Sequence, residues 1–164
     1  MPARKPLSPD DTTPEAPLHE GALGPVIGYQ LAQATIVTSQ VFAATAGRGL
    51  DLRPVEFTLL TLIAENPGVS ARQLSRALAV TPPNITMWVD KLSERGLVTR
   101  ERSATDGRAQ HLSTTPAGTE LARQAVRALR EAERETLARG LSAAEQAILA
   151  ELLHKLARCR RKGN

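Results

Sequence analysis

The tightest constraint on this chain is the segment from Ser70 to Gly96, SARQLSRALAVTPPNITMWVDKLSERG, because it carries two helix-start signals one short helix apart. Ser70 followed by Gln73 is a capping box: the hydroxyl accepts an orphan amide of the first turn while Gln73 reaches back to the cap. A helix therefore begins at Ala71, with Ala71, Leu74, Ala77 and Leu78 on one face, and the pattern stops at Val80. Thr81 is the second cap. Pro82 and Pro83 then fall in the first turn of the next helix, where a missing N–H costs nothing and φ is already helical. Along this second helix Ile85, Trp88, Val89 and Leu92 recur at i, i+3, i+4 and i+7 and face inward. Pro83, Asn84, Thr86, Met87 and Asp90 are left facing outward. Two short helices joined by a tight turn are a helix-turn-helix.

Two strand-like runs follow, Leu97 to Arg102 and Ala109 to Thr114, and Asp106-Gly107 between them is a hairpin turn signal. A helix-turn-helix followed by a basic hairpin is a winged helix. Its second helix enters a major groove while the hairpin reaches the neighbouring backbone or minor groove. The run from Leu52 to Leu121 here resembles the MarR family of bacterial regulators, through LRPVEFTLLTLIAENPGVSARQLSRALAV, VDKLSERGLVTR, the wing DGR and the LSTTPAG that opens the next helix. The resemblance implies a mainly α fold with a small β-hairpin: a winged helix-turn-helix lobe plus N- and C-terminal dimerisation helices. It also implies sequence-specific binding of double-stranded DNA by a homodimeric repressor, released by a small aromatic or phenolic ligand. The residues alone leave a rival, a winged-helix protein-interaction module in which the basic wing is incidental.

Composition agrees with a helical, non-enzymatic reading. A chain of 164 residues has room for a real core, and 2% aromatic residues beside abundant Ala and Leu favours helix packed on helix. The formal charge of +4 permits a polyanionic partner without requiring one. Much of it falls between Ser70 and His111, where seven Lys and Arg face four Asp and Glu. The lack of a long apolar run argues against a membrane span, and a lone cysteine, Cys159, fits a reducing cytoplasm and is too close to the C-terminus to act as a redox switch. His19, His111 and His154 fall in unrelated segments and no glycine-rich phosphate loop occurs, so no catalytic, metal or cofactor site is expected.

The expected organisation is a disordered, Pro-rich tail over residues 1–20, an N-terminal dimerisation helix over 21–50, the winged helix-turn-helix lobe over 51–115 and C-terminal dimerisation helices over 116–164. In the N-terminal helix, Ile27, Leu31, Ala34 and Val41 share a face, and Gly47 to Asp51 is expected to break it. Beyond the wing, Thr115-Pro116 starts a helix to about Arg139, on which Arg127, Arg130, Glu131, Glu133 and Arg134 read as a solvated face. Ser142 with Glu145 starts the last helix. Its stripe of Ile148, Leu149, Leu152, Leu153 and Leu156 is too apolar for water, and the resemblance implies that the first and last helices pack across a two-fold axis.

The expected DNA-contacting residues are Ser70, Thr81, Pro83, Asn84, Thr86, Met87, Lys91, Arg102, Asp106 and Arg108. Asn84 and Thr86 can bond base edges, while the Thr86 methyl and Met87 can meet a thymine methyl. Asp90 and Glu94 repel phosphate, so only the start of this helix is expected to enter the groove. Arg108 matches the family's wing arginine and Asp106 the acidic residue that steadies it. The chain departs from the family at Met87, where Arg is frequent, and at Gly107, where another basic residue is common. For the effector, the resemblance points between the dimerisation helices and the lobe. Tyr29, Gln33, Arg48, Phe57 and Trp88 are the residues offering aromatic walls and a carboxylate partner there.

Overall fold

The computed structural model describes residues 12–13, 15–16, 18–102 and 110–160, and these fall into two compact units, 1–40 and 41–164. In the first unit, the described residues between 12 and 20 make local contacts. Thr12 and His19 form an antiparallel bridge, Thr13 N–H donates to Leu18 O at 3.1 Å, and a short 3-10 turn, Gly21–Leu23, leads towards helix α1, Ile27–Phe42. Glu20 ties this segment to the helix: Tyr29 Oη donates to its Oε1 at 3.1 Å and Gln30 Nε2 to its Oε2 at 3.3 Å. Proline density forbids a periodic element there, but a local turn needs none.

The second unit begins in the last residues of α1 and runs on without a break at Gly47. Ala43–Gly47 form a wider helical turn and Arg48–Leu50 a final turn, α2, that stops at Asp51, whose φ of 49° is left-handed. Glycine permits a break but does not impose one. Asp tolerates the left-handed region because its short side chain bonds locally, so Asp51 supplies the stop.

The lobe follows as α3, Pro54–Glu65, strand β1, Val69–Ser70, α4, Ala71–Leu78, α5, Pro82–Glu94, and strands β2, Val98–Arg102, and β3, Gln110–Thr114. Helix α3 is almost wholly apolar because it is central, with Leu59, Leu60 and Ile63 fully buried. The turn between α4 and α5 is closed by Ala79 at φ 54°, with Val80 N–H donating to Ser75 O at 3.1 Å and Ser75 Oγ to Val80 O at 2.6 Å. The sheet order is β1-β3-β2, all antiparallel. The two-residue β1 is too short to register as a strand in sequence; pairing with β3 creates it.

Two long helices complete the chain, α6, Pro116–Leu137, and α7, Ala143–Ala157. The Thr115 and Ser142 caps form as expected, their hydroxyls accepting Gly118 N–H at 3.0 Å and Glu145 N–H at 3.3 Å. In return Ser142 Oγ and Ser142 N–H donate to Glu145 Oε2 at 2.7 and 2.8 Å, and these two bonds hold the Glu145 carboxyl below its ordinary range. Thr115 N–H donates to Leu97 O at 3.0 Å and its hydroxyl to Gly96 O at 2.7 Å. The start of α6 is thereby laid directly on the turn that ends α5. No helix among the described residues is long and apolar enough to cross a membrane.

Candidate nucleic-acid interface

Helix α5 is embedded on one side and bare on the other. Ile85, Val89 and Leu92 are buried against α3 and α4, whereas Pro83, Asn84, Thr86 and Met87 are exposed, Met87 to 44%. Such a large apolar side chain at the surface, between two polar residues that can bond base edges, is what a helix bound for a groove needs. Thr86 Oγ1 donates back to Pro82 O at 3.1 Å, so its exposed hydroxyl remains available as an acceptor. Thr81 sits at the helix start in extended backbone, but its hydroxyl makes no capping bond. Thr81 holds the expected N-cap position, but Asn84 N–H, the amide its hydroxyl could accept, bonds Thr81 O at 3.1 Å instead. Among the described residues the Thr81 hydroxyl has no hydrogen-bond partner, and it lies beside the helix N-terminus, where phosphate is favoured.

Ser70 is half-buried and its capping box is complete. Its Oγ donates to Gln73 Oε1 at 2.7 Å and accepts Gln73 N–H at 3.3 Å, so the hydroxyl proton is already committed. Lys91 is half-buried on the flank of α5. The backbone of Arg102 ends β2. The Arg102 side chain, Asp106 and Arg108 lie outside the described residues.

Asp90 shares the outward surface of α5 with Pro83, Thr86 and Met87, but it is ion-paired to Arg100 Nη2, so it does not stand as a bare charge towards phosphate. Arg95 is likewise engaged, donating from Nη1 to Asp51 O at 2.9 Å and lying 3.7 Å from Glu56 Oε2. Glu56 is buried and accepts Arg53 N–H at 3.0 Å. Two of the lobe's cations therefore brace α5 rather than reach for a polyanion, which no local sequence pattern reveals because both partners are distant in the chain.

The residues expected around an effector are distributed as follows. In the first unit Gln33 Nε2 donates to Tyr29 Oη at 2.7 Å, while Tyr29 donates to Glu20. In the second, Phe57 stacks edge-to-face on Phe42 with ring centroids 5.6 Å apart, Trp88 is half-buried on α5 and Arg48 is exposed. A cleft of about 580 Å³ between α3 and α6 contains none of Arg48, Phe57 and Trp88; Thr61, Ala64, Ala122, Val126, Arg127 and Arg130 line it, with Glu131 and Arg134 at its edge. Arg127, Arg130, Glu131 and Arg134 are exposed, as expected of a solvated face, and that face also forms one wall of the cleft. Among the described residues Arg127, Arg130 and Arg134 have no ion pair, and the buried Thr61 Oγ1 has no hydrogen-bond partner. A helical charge pattern is the same in sequence whether its face meets bulk water or a cleft.

The sequence model of the MarR family matches residues 50–109. A putative transcriptional regulatory protein for the hcr operon of Thauera aromatica is 33% identical over 143 residues, 87% of this chain and 86% of that protein. Among solved structures, the transcriptional repressor CouR bound to a 23-mer DNA duplex is 27% identical with a TM-score of 0.78, covering 85% of this chain and 98% of that one. A Mycobacterium tuberculosis MarR family protein in complex with salicylic acid is 33% identical with a TM-score of 0.63, covering 79% of this chain and 95% of that one. With the helix-turn-helix, the paired wing strands and the bare face of α5 in place, the conclusion is direct: this chain belongs to the MarR family of transcriptional regulators.

Proposed function

We propose that the chain is a cytoplasmic homodimeric repressor that grips a pseudo-palindromic DNA operator and releases it on binding a small aromatic acid. The observation that carries the DNA part is the exposed run Pro83, Asn84, Thr86, Met87 on a helix braced from behind by buried Ile85, Val89 and Leu92. Thr81, Ser70 and Lys91 flank it, and Arg102, Asp106 and Arg108 belong to the wing. Selection from random duplexes is the test. Two symmetric half-sites about 10 base pairs apart, centre to centre, are expected, because dyad-related reading helices meet successive major grooves. A single asymmetric site would count against the dimer.

On the selected duplex Asn84→Ala is expected to cost about 1–3 kcal/mol and to relax one position per half-site. Arg108→Ala acts differently: it weakens specific and non-specific binding alike and lowers the salt slope by about one unit per subunit. Titrations of both variants on selected and scrambled duplexes at several salt concentrations distinguish the two. Identical behaviour would remove the division between helix and wing.

For the effector, the α3–α6 cleft is the better supported site, since it offers an apolar floor and guanidinium groups with no ion pair among the described residues. The set Tyr29, Gln33, Arg48, Phe57 and Trp88 is its rival. Salicylate and related acids are expected to release the protein from its selected duplex, as a ligand that favours one spacing of the reading helices must. Arg127→Ala with Arg130→Ala should blunt release by about tenfold in ligand concentration while leaving unliganded DNA binding intact. If Arg48→Ala alone does so, the rival set is the site; if no acid releases the protein, neither is.

A further inference from the structure

Arg100 occupies a position that an apolar residue would ordinarily hold. In the β2–β3 register it stands opposite Leu112, which is buried, and two residues from buried Val98, so its side chain enters on the core face of the hairpin. Thr99 and Glu101, on the other face, are exposed. The Arg100 side chain is 27% exposed, its Nη2 is paired with Asp90, and its buried Nε has no hydrogen-bond partner among the described residues. Burying a charged group with one donor unsatisfied is costly, and an apolar side chain at this place would avoid that cost. Stability therefore does not account for an arginine here.

Its location supplies a different account. Asp90 stands one helical turn beyond Thr86, on the surface depression that Pro83, Thr86, Met87 and Lys91 also line. The pair spans from that reading face to the stem of the wing, where α5 and β2 otherwise meet through the apolar core that Val98 shares with Val89 and Leu92. Arg95 braces the same helix in another direction, towards Asp51. We propose that Arg100, acting through Asp90, is a positioning residue that fixes the wing relative to the reading face of α5, so that helix and wing meet the two grooves of one half-site together. This rests on the DNA-binding reading above. The pair also removes an unbalanced carboxylate from a surface that approaches phosphate.

The test is a double-variant cycle in the full chain, using the duplex that wild type selects from a random pool and a scrambled duplex. Asp90→Asn, which keeps the side-chain shape, is expected to bind the scrambled duplex more tightly yet to lower the selected-to-scrambled affinity ratio about tenfold, the coupling ordinary for charged neighbours. Arg100→Met should lower the same ratio by a similar factor while weakening binding to both. Combining the two should lower the ratio no further than either alone. Hydroxyl-radical footprints should lose the minor-groove protection of the wing and keep that of the reading helix. Thermal unfolding checks the fold, and if Arg100→Met does not fold, Asp90→Asn decides alone. The role is overturned if Asp90→Asn leaves the ratio within about twofold of wild type, if the two changes lower it independently, or if the wing footprint persists. Failure of wild type to select any duplex overturns the DNA-binding reading itself, a result distinct from all of these.

Discussion

Gly118→Ala is expected to lower the melting temperature by roughly 10 °C, a loss of roughly 3 kcal/mol. Gly118 is buried in the first turn of α6, and a Cβ built on it lies 2.0 Å from Leu97 O and 2.9 Å from Leu97 C. The neighbour is backbone, so no side-chain rotation relieves the overlap. Neither can the carbonyl move freely, since Leu97 O accepts Thr115 N–H at 3.0 Å. Either the start of α6 lifts from the turn after α5 or the turn itself shifts, and each route breaks the Thr115 bonds to Gly96 and Leu97. The same displacement changes how the reading helix is held, so DNA affinity should fall with stability. Gly140→Ala is the control: nothing lies within 4 Å of its added Cβ, and its melting temperature should stay within about 2 °C of wild type. Calorimetry of both variants decides it, and a Gly118→Ala protein as stable as wild type would show that the close approach is not required.

That glycine marks where sequence legibility ends. Pro116-Ala117-Gly118 reads as a helix start, and the start is there, but the reason for glycine is a carbonyl twenty-one residues earlier in the chain. What could be read was whatever is local. Ser70 with Gln73 and Ser142 with Glu145 are complete capping boxes, because cap and partner lie three residues apart. The inward stripe Ile85, Val89, Leu92 is buried because its period is that of the helix. What could not be read depends on distant partners: β1 exists through β3, Asp90 is paired by Arg100, and Arg127 and Arg130 gain a cleft from α3. Thr81 stands at the N-cap, but the N3 amide, Asn84 N–H, bonds its carbonyl rather than its hydroxyl, a choice between two acceptors on one residue that sequence does not display.

Replacing Leu149 and Leu152 together by Asp is expected to abolish the proposed dimer. Ile148, Leu149, Leu152, Leu153 and Leu156 are 39–55% exposed along α7, a continuous apolar surface of the kind soluble chains keep covered. Each leucine is already about half buried in the single chain. Covering the rest therefore gains about 1 kcal/mol per residue rather than the full 1.5–3, or about 4 kcal/mol over two leucines in each of two copies. That alone weakens association by roughly a thousandfold. Four carboxylates brought together at the interface add a desolvation cost of several kcal/mol more. Light scattering at micromolar concentration should then report a monomer, while the lobe, whose core of Leu59, Leu60, Ile63, Ile85 and Leu92 does not draw on this stripe, should retain its fold. The variant should protect one half-site at high concentration and lose the steep dependence on the second, because two reading helices no longer bind as one unit. A double variant that remains a folded dimer would place the interface elsewhere and leave the α7 stripe without a partner.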